Sequence, residues 1–200
     1  MKFHRGMKQQ KGFTLIELAV VVIIIGILLV VIAPSIIGSQ TGSKATLIQR
    51  IADTTANNWS LLASQAGTGT TVASNPIAKT ISTDGVGVSE VLYEGQSKVA
   101  DAYVPAYTST GIKAMSQLVG KSGGVYGVSG TTGIVITLGG GGTAPMTITF
   151  DGVPPEIVAN LVQKIQPSLA LTTGSAQTVG QMTYTCPATG LCNVVFSRPV

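Results

Sequence analysis

The sequence predicts an α+β protein, on three observations. A long N-terminal α-helix is expected to have its apolar half protruding and its amphipathic half packed on a head. That head is expected to hold a small antiparallel β-sheet and an additional helix. The first observation is a nearly unbroken run of Val, Ile and Leu from Leu18 to Ala33. The second is a stretch of three- and four-residue apolar spacing that follows it. The third is a set of short β-branched runs beyond Gly123, punctuated by glycine.

The apolar run comes first in the chain. Leu18 to Ala33 carries no charge, is interrupted by Gly26 and ends at Pro34. Extended from Phe13 to Ile37 it reaches about 37 Å as a helix, enough to cross a bilayer. Lys2, Arg5, Lys8 and Lys11 precede it, and the next basic residue is Lys44. An excess of positive charge before an apolar segment holds that end on the cytoplasmic side, so the remainder is expected to be exported. These four residues also account for the formal charge of +4: residues 13–200 carry eight basic and eight acidic side chains. A neutral exported part gives no electrostatic reason to bind nucleic acid.

A disposable secretory signal would show the same basic and apolar regions, with Ala33-Pro34-Ser35 as its cleavage site and Ile36 as the new terminus. Glu17 argues against it. An acid adjoining the apolar run costs up to ~2.5 to 3.5 kcal/mol at mid-bilayer, less near the interface, and a signal that is thrown away has no use for it. The string Gly12-Phe13-Thr14-Leu15-Ile16-Glu17-Leu18, after a short basic leader and before an apolar helix, resembles the class III signal of type IV pilins and pseudopilins. The resemblance implies cleavage between Gly12 and Phe13 by a prepilin peptidase, N-methylation of Phe13, and retention of the apolar helix. It implies that Glu17 attracts the terminal amine of a neighbouring subunit during filament assembly. It also places Gly26 and Pro34 where many members loosen this helix in the filament. An amine and a carboxylate that meet in an apolar filament core compensate two charges that are costly apart. Acting alone, Glu17 would be an acid in the first turn of a helix, worth ~0.3 to 1 kcal/mol.

The chain is thus expected to divide into a leader, 1–12, a transmembrane or filament-core helix, 13–37, an amphipathic continuation, 38–66, and a globular head, 67–200. In the continuation Leu47 or Ile48, Ile51, Ala52, Thr55, Ala56, Trp59, Leu62, Ala63 and Ala66 share one helical face, and Trp59 is expected in the core. Gly67 to Thr71 stops the helix. Val72 to Lys121 has mixed signals, with short helices expected at Ser89 to Tyr93 and Gly111 to Val119. Strands are expected at Val125 to Val128, Ile134 to Leu138 and Met146 to Phe150. Gly139 to Gly142 reads as a turn, because no GK[ST] follows to make it a phosphate loop. Asp151 to Glu156 opens a helix whose stripe of Ile157, Val158, Leu161, Val162 and Ile165 runs to Pro167. Met182 to Cys186 and Leu191 to Phe196 are the last two strands. A helix before the final strand pair is closer to type IVb pilins than to type IVa, whereas Phe13 as first mature residue is the IVa habit.

Cys186 and Cys192 follow the membrane segment into an oxidising compartment. A bridge between them closes a short loop, worth about 2 kcal/mol, and neither C-x-x-C redox chemistry nor a zinc site fits their spacing. His4 lies in the leader, so residues 13–200 contain no histidine for a catalytic triad or His-ligated metal. Glu90 and Glu94 would share a face of a helix, where a solvated face is expected rather than an acid/base pair. Neither an enzyme nor a cofactor is expected. The expected function is that of a structural subunit, a major type IV pilin stored in the inner membrane and polymerised into a surface filament. Its expected partners are further copies of itself in a helical homopolymer, the prepilin peptidase, the inner-membrane assembly machinery with its ATPase, and, as precursor, the membrane. A type II secretion pseudopilin, a minor tip pilin binding DNA or a receptor, and an ordinary secreted domain are the rivals.

Overall fold

The computed structural model describes the backbone of residues 13–200 and the side chains of residues 13–31 and 40–200. The chain divides into two compact units, residues 1–40 and 41–200. Helix α1, Leu15–Ala66, begins in the first and ends in the second.

In the N-terminal unit every large apolar side chain from Phe13 to Val31 is exposed, from 47% at Val20 to 90% at Phe13 and Leu15. Among the described residues no helix is long and apolar enough to cross a membrane. Residues 32–37 of the expected 13–37 span, Pro34 with them, lie outside the described side chains.

The second unit is an α+β head. Its part of α1 buries Ala45, Ile48, Ile51, Ala52, Thr55, Ala56, Trp59, Leu62 and Ala63, the face that the spacing predicts. After α1 come α2, Val86–Glu94, two 3-10 turns at Gln96–Lys98 and Asp101–Tyr103, and α3, Val104–Thr110. A single antiparallel sheet follows: β1 Val119–Ser122, β2 Val125–Val128, β3 Val135–Gly140 and β4 Met146–Val153. Helix α4, Pro155–Ile165, then leads to β5 Gln177–Val179, β6 Met182–Thr185 and β7 Cys192–Arg198. The strand order is β1-β2-β3-β4-β7-β6-β5, so β7 returns beside β4 after the helix. Alternate residues of β4 and β7 enter the core: Met146, Ile148 and Phe150, then Cys192, Val194 and Phe196. Phe150 and Phe196 meet edge to face at 5.8 Å between centroids. From the far end of β7, Arg198 binds Asp53 of α1 at 2.8 Å.

Several expectations are corrected. Gly111 to Val119 is not a helix: α3 lies before it, Gly111 closes α3 with φ 66°, and Val119 opens β1. A turn replaces the expected helix, with Leu118 and Val119 N–H donating to the Met115 carbonyl. Asp151 and Gly152 do not open α4 but continue β4 through an irregularity between Phe150 and Val153 in its pairing with β7. The short edge strands β1 and β5 carry no pattern long enough to announce them.

The glycine run serves packing. Gly139 and Gly140 pair within β3, and the turn begins at Gly141. Beyond the end of α1 the chain folds back so that the Thr70 carbonyl accepts the indole N–H of Trp59 at 2.7 Å. Gly142 N–H donates to Thr70 Oγ1 at 3.0 Å, and Val72 N–H to the Gly140 carbonyl at 3.0 Å. Gly141 has φ 85°, and a Cβ there would lie 2.1 Å from the Thr70 carbonyl oxygen. Gly141→Ala is therefore expected to destabilise the head by about 1 to 3 kcal/mol, read as a lower urea midpoint of the full chain in detergent.

Candidate functional site: the N-terminal carboxylate and its helix

Thr14 is the N-cap of α1, since its carbonyl accepts the first helical bond, from Leu18 N–H at 3.3 Å. Glu17 is therefore the third residue of the helix. Its Oε2 accepts from both the Thr14 amide and the Thr14 hydroxyl at 2.8 Å, and Glu17 N–H donates back to Thr14 Oγ1 at 3.3 Å. Such a reciprocal box satisfies donors that a helix start leaves bare. Its signature, Thr-x-x-Glu, stands in the sequence at Thr14-Leu15-Ile16-Glu17, and the function of Thr14 is the one that sequence reasoning missed.

The box bears directly on what Glu17 does. Oε2 is engaged within the chain, whereas Oε1 accepts no hydrogen bond among the described residues. One carboxylate thus caps its own helix and keeps an oxygen for an outside donor. Around it Phe13, Ile16, Leu18, Val20 and Val21 line, with Glu17, a groove of about 660 Å3 in which the carboxylate is the only charged group among the described residues. Gly12 lies outside the described residues, so the bond between Gly12 and Phe13 has no geometry here. Gly26 lies within α1, and a Cβ on it would touch nothing within 4 Å.

The other predicted sites lie in the head. Cys186 and Cys192 form a disulfide across the loop joining β6 to β7, both cysteines buried. Among the described residues no group of three or more His, Cys, Asp or Glu side chains comes together. Glu90 and Glu94 share a face of α2, but that face is not solvated as expected. Glu94 Oε1 takes the Lys121 ammonium at 2.6 Å and the Tyr126 hydroxyl, and Lys98 lies 3.4 Å from both acids. The cluster ties α2 to β1 and β2, and its acids are spent on cations. Hydrogen bonds from Lys121 and then Tyr126 pull the Glu94 pKa down from 4.5 to about 2, while burial and the neighbouring Glu94 raise that of Tyr126.

Two predictions follow from these geometries. A carboxylate with a lowered folded pKa stabilises the fold above its unfolded value, and that contribution is lost as pH falls. The Glu94 contribution is thus whole above pH 4.5 and disappears toward about 2. Glu94→Gln should lower stability at pH 7 and flatten the loss on acidification over that window, measured by thermal melts across pH. At the N-terminus, Thr14→Ala should speed amide exchange at Leu15 to Leu18 by roughly fivefold, the equivalent of a lost cap worth about 1 kcal/mol.

Residues 7–33 match the family model for the prokaryotic N-terminal methylation motif. No curated protein and no solved structure matches the chain. The matched segment contains Gly12, Phe13, Thr14 and Glu17 and most of the exposed apolar helix. With the α+β head that follows, the match supports a type IV pilin-like prepilin with a class III leader.

Proposed function

We propose that the chain is the precursor of a major type IV pilin, a structural subunit that polymerises through its N-terminal helix into a surface filament. Residues 1–12 are the leader, 13–37 the membrane and filament-core helix, 38–66 its amphipathic continuation and 67–200 the head. A prepilin peptidase cuts between Gly12 and Phe13 on the cytoplasmic face and methylates the new Phe13 amine. The precursor waits in the inner membrane with its head in the periplasm. The assembly machinery then extracts it, and the mature subunit ends in an extracellular pilus that serves adhesion, motility, aggregation or conjugative contact.

The observation that carries this reading is the unbroken exposure of large apolar side chains from Phe13 to Val31 beside a capped carboxylate with one uncommitted oxygen. A lone chain has nothing to put against that surface. Lipid covers it in storage and other copies cover it in a filament. Because lipid already hides apolar area, close packing and polar pairs decide the filament's register. Glu17 supplies the polar half of such a pair and a neighbour's Phe13 amine the other, with no covalent chemistry beyond the leader cut. Gly26 and Pro34 are the points where the helix gives in the filament. The return of β7 beside β4 after α4 favours the type IVb branch.

The mass of the mature N-terminus tests the route. N-methyl-Phe13 is the expected result, and a terminus at Ile36 would overturn the reading. Glu17→Ala should leave processing intact while sheared filaments fall at least about tenfold, the scale of a lost charge pair in an apolar setting. Normal piliation in that variant would reduce Glu17 to a helix cap, and short periplasmic fibres in the wild type would favour a secretion pseudopilin.

A further inference from the structure

The charges of the head divide into two sets. Asp53, Glu90, Glu94 and Asp101 pair with Arg198, Lys98, Lys121 and Lys79 inside the chain. The others, Lys44, Arg50, Asp84, Lys113, Asp151, Glu156 and Lys164, belong to no ion pair among the described residues, and of these Arg50 and Asp84 are both exposed. Their places in the fold differ. Arg50 lies with Ser43, Thr46 and Leu47 in a groove of about 350 Å3 on the part of α1 that enters the head. Lys164 of α4 reaches the same place, donating to the hydroxyl of Thr46, one helical turn before Arg50. Arg50 and Lys164 thus make one basic site with an apolar floor at Leu47.

Asp84 stands near the other end of the head, on the loop from Thr80 to Gly85 that leads into α2 at Val86. The loop is held hard. Ser74 N–H donates to the Ser82 carbonyl at 2.8 Å, Gly87 N–H to Ser82 Oγ at 3.2 Å and Val86 N–H to Asp84 Oδ1 at 3.2 Å. Gly85, with φ 79°, comes so close to the body that a Cβ would lie 2.4 Å from the Leu138 carbonyl oxygen and 2.9 Å from Val72. Yet this rigid loop presents Ile81 at 63% exposure, and α2 opens on Val86 at 38%. A preorganised apolar knob with an acid beside it forms a contact with little ordering cost. The bonds from Ser82 and then Val86 lower the Asp84 pKa, so the acid stays charged.

We infer that the loop carrying Ile81 and Asp84 docks on the Arg50, Lys164 and Leu47 groove of a second copy of this chain, with Asp84 facing the two cations. Complementary charge at two different places names the occupant. Thr70, beside Trp59, marks the far end of the head, about 13 residues and so roughly 20 Å along α1 from Thr46. A contact between unlike ends is heterologous, and it propagates as an open helical filament rather than closing a dimer. The inference rests on the filament reading and gives it a contact that does not involve the exposed apolar part of α1, Phe13 to Val31.

Charge exchange tests the docking. Arg50→Glu and Asp84→Arg alone should each lower the yield of sheared filaments at least about tenfold, since each sets like charges face to face. Processed subunit and its melting temperature should stay unchanged. The double variant R50E/D84R should recover to within about twofold of the wild type, which is the coupling that a direct contact gives. Zero-length carbodiimide treatment of wild-type filaments should join Asp84 of one copy to Lys164 of another, identified by peptide mass. Single variants that assemble normally, or a double variant no better than the singles, would overturn the contact while leaving the pilin function standing. A wild-type chain that makes no filament would overturn both.

Discussion

Everything in this chain is arranged around a helix surface that the molecule cannot cover by itself. From Phe13 to Val31 every large apolar side chain is exposed. Fifteen such residues on a lone helix are a demand for surroundings, since water around them costs about 25 cal/mol per Å2. The leader, the carboxylate and the separate head all answer that demand. Four basic residues precede the helix in the sequence, the charge pattern that keeps a helix start on the cytoplasmic face when such a segment enters a membrane.

In the proposed filament the carboxylate has two jobs that do not compete. A helix start leaves bare N–H groups, and in apolar surroundings each is expensive. Thr14 and Glu17 satisfy each other there with one carboxylate oxygen. The second oxygen keeps its acceptor capacity, and its negative charge sits at the positive end of a helix dipole. A helix cap and an assembly contact are therefore compatible roles for one residue. The cap fixes where the charge points, and a fixed charge selects a register better than a mobile one.

Periodicity made much of this legible. The buried face from Ala45 to Ala63 follows from three- and four-residue spacing, and β4 and β7 from alternation. Where the sequence misled, local pattern lost to long-range contacts. Ile112, Met115 and Val119 are spaced like a helix face, but Gly111 in a left-handed conformation ends α3, and the segment becomes a turn that inserts Met115 into the core. Asp151-Gly152 looks like a turn before a helix, but β3 holds it in the sheet through the pairing of Asp151 with Val135. Glu90 and Glu94 look solvated because the cations that engage them, Lys98 and Lys121, come from other elements. Of the site, the motif around Glu17 was readable, and the family model matches it over residues 7–33. The box with Thr14 is written in the same four residues, Thr14 to Glu17, but a cap signature followed by an unbroken apolar run shows no amphipathic helix start of the usual kind.

The head's charges show how a neutral protein can still carry directional contacts. Net charge sums over the surface, whereas assembly depends on which charges remain unspent. Ion pairs that close within the chain stiffen it: Arg198 to Asp53 joins β7 to α1, and the Glu94 cluster joins α2 to β1 and β2. A closed pair has little left to offer a neighbour. Arg50 and Asp84 are not closed in this way, and they belong to opposite regions of the head. Lipid and neighbouring helices treat the apolar helix surface almost alike, so transfer of that surface alone sets neither direction nor register. In the proposed filament those come from polar groups that intrachain ion pairs leave open, among them the Glu17 oxygen at the N-terminal helix and Arg50 and Asp84 on the head.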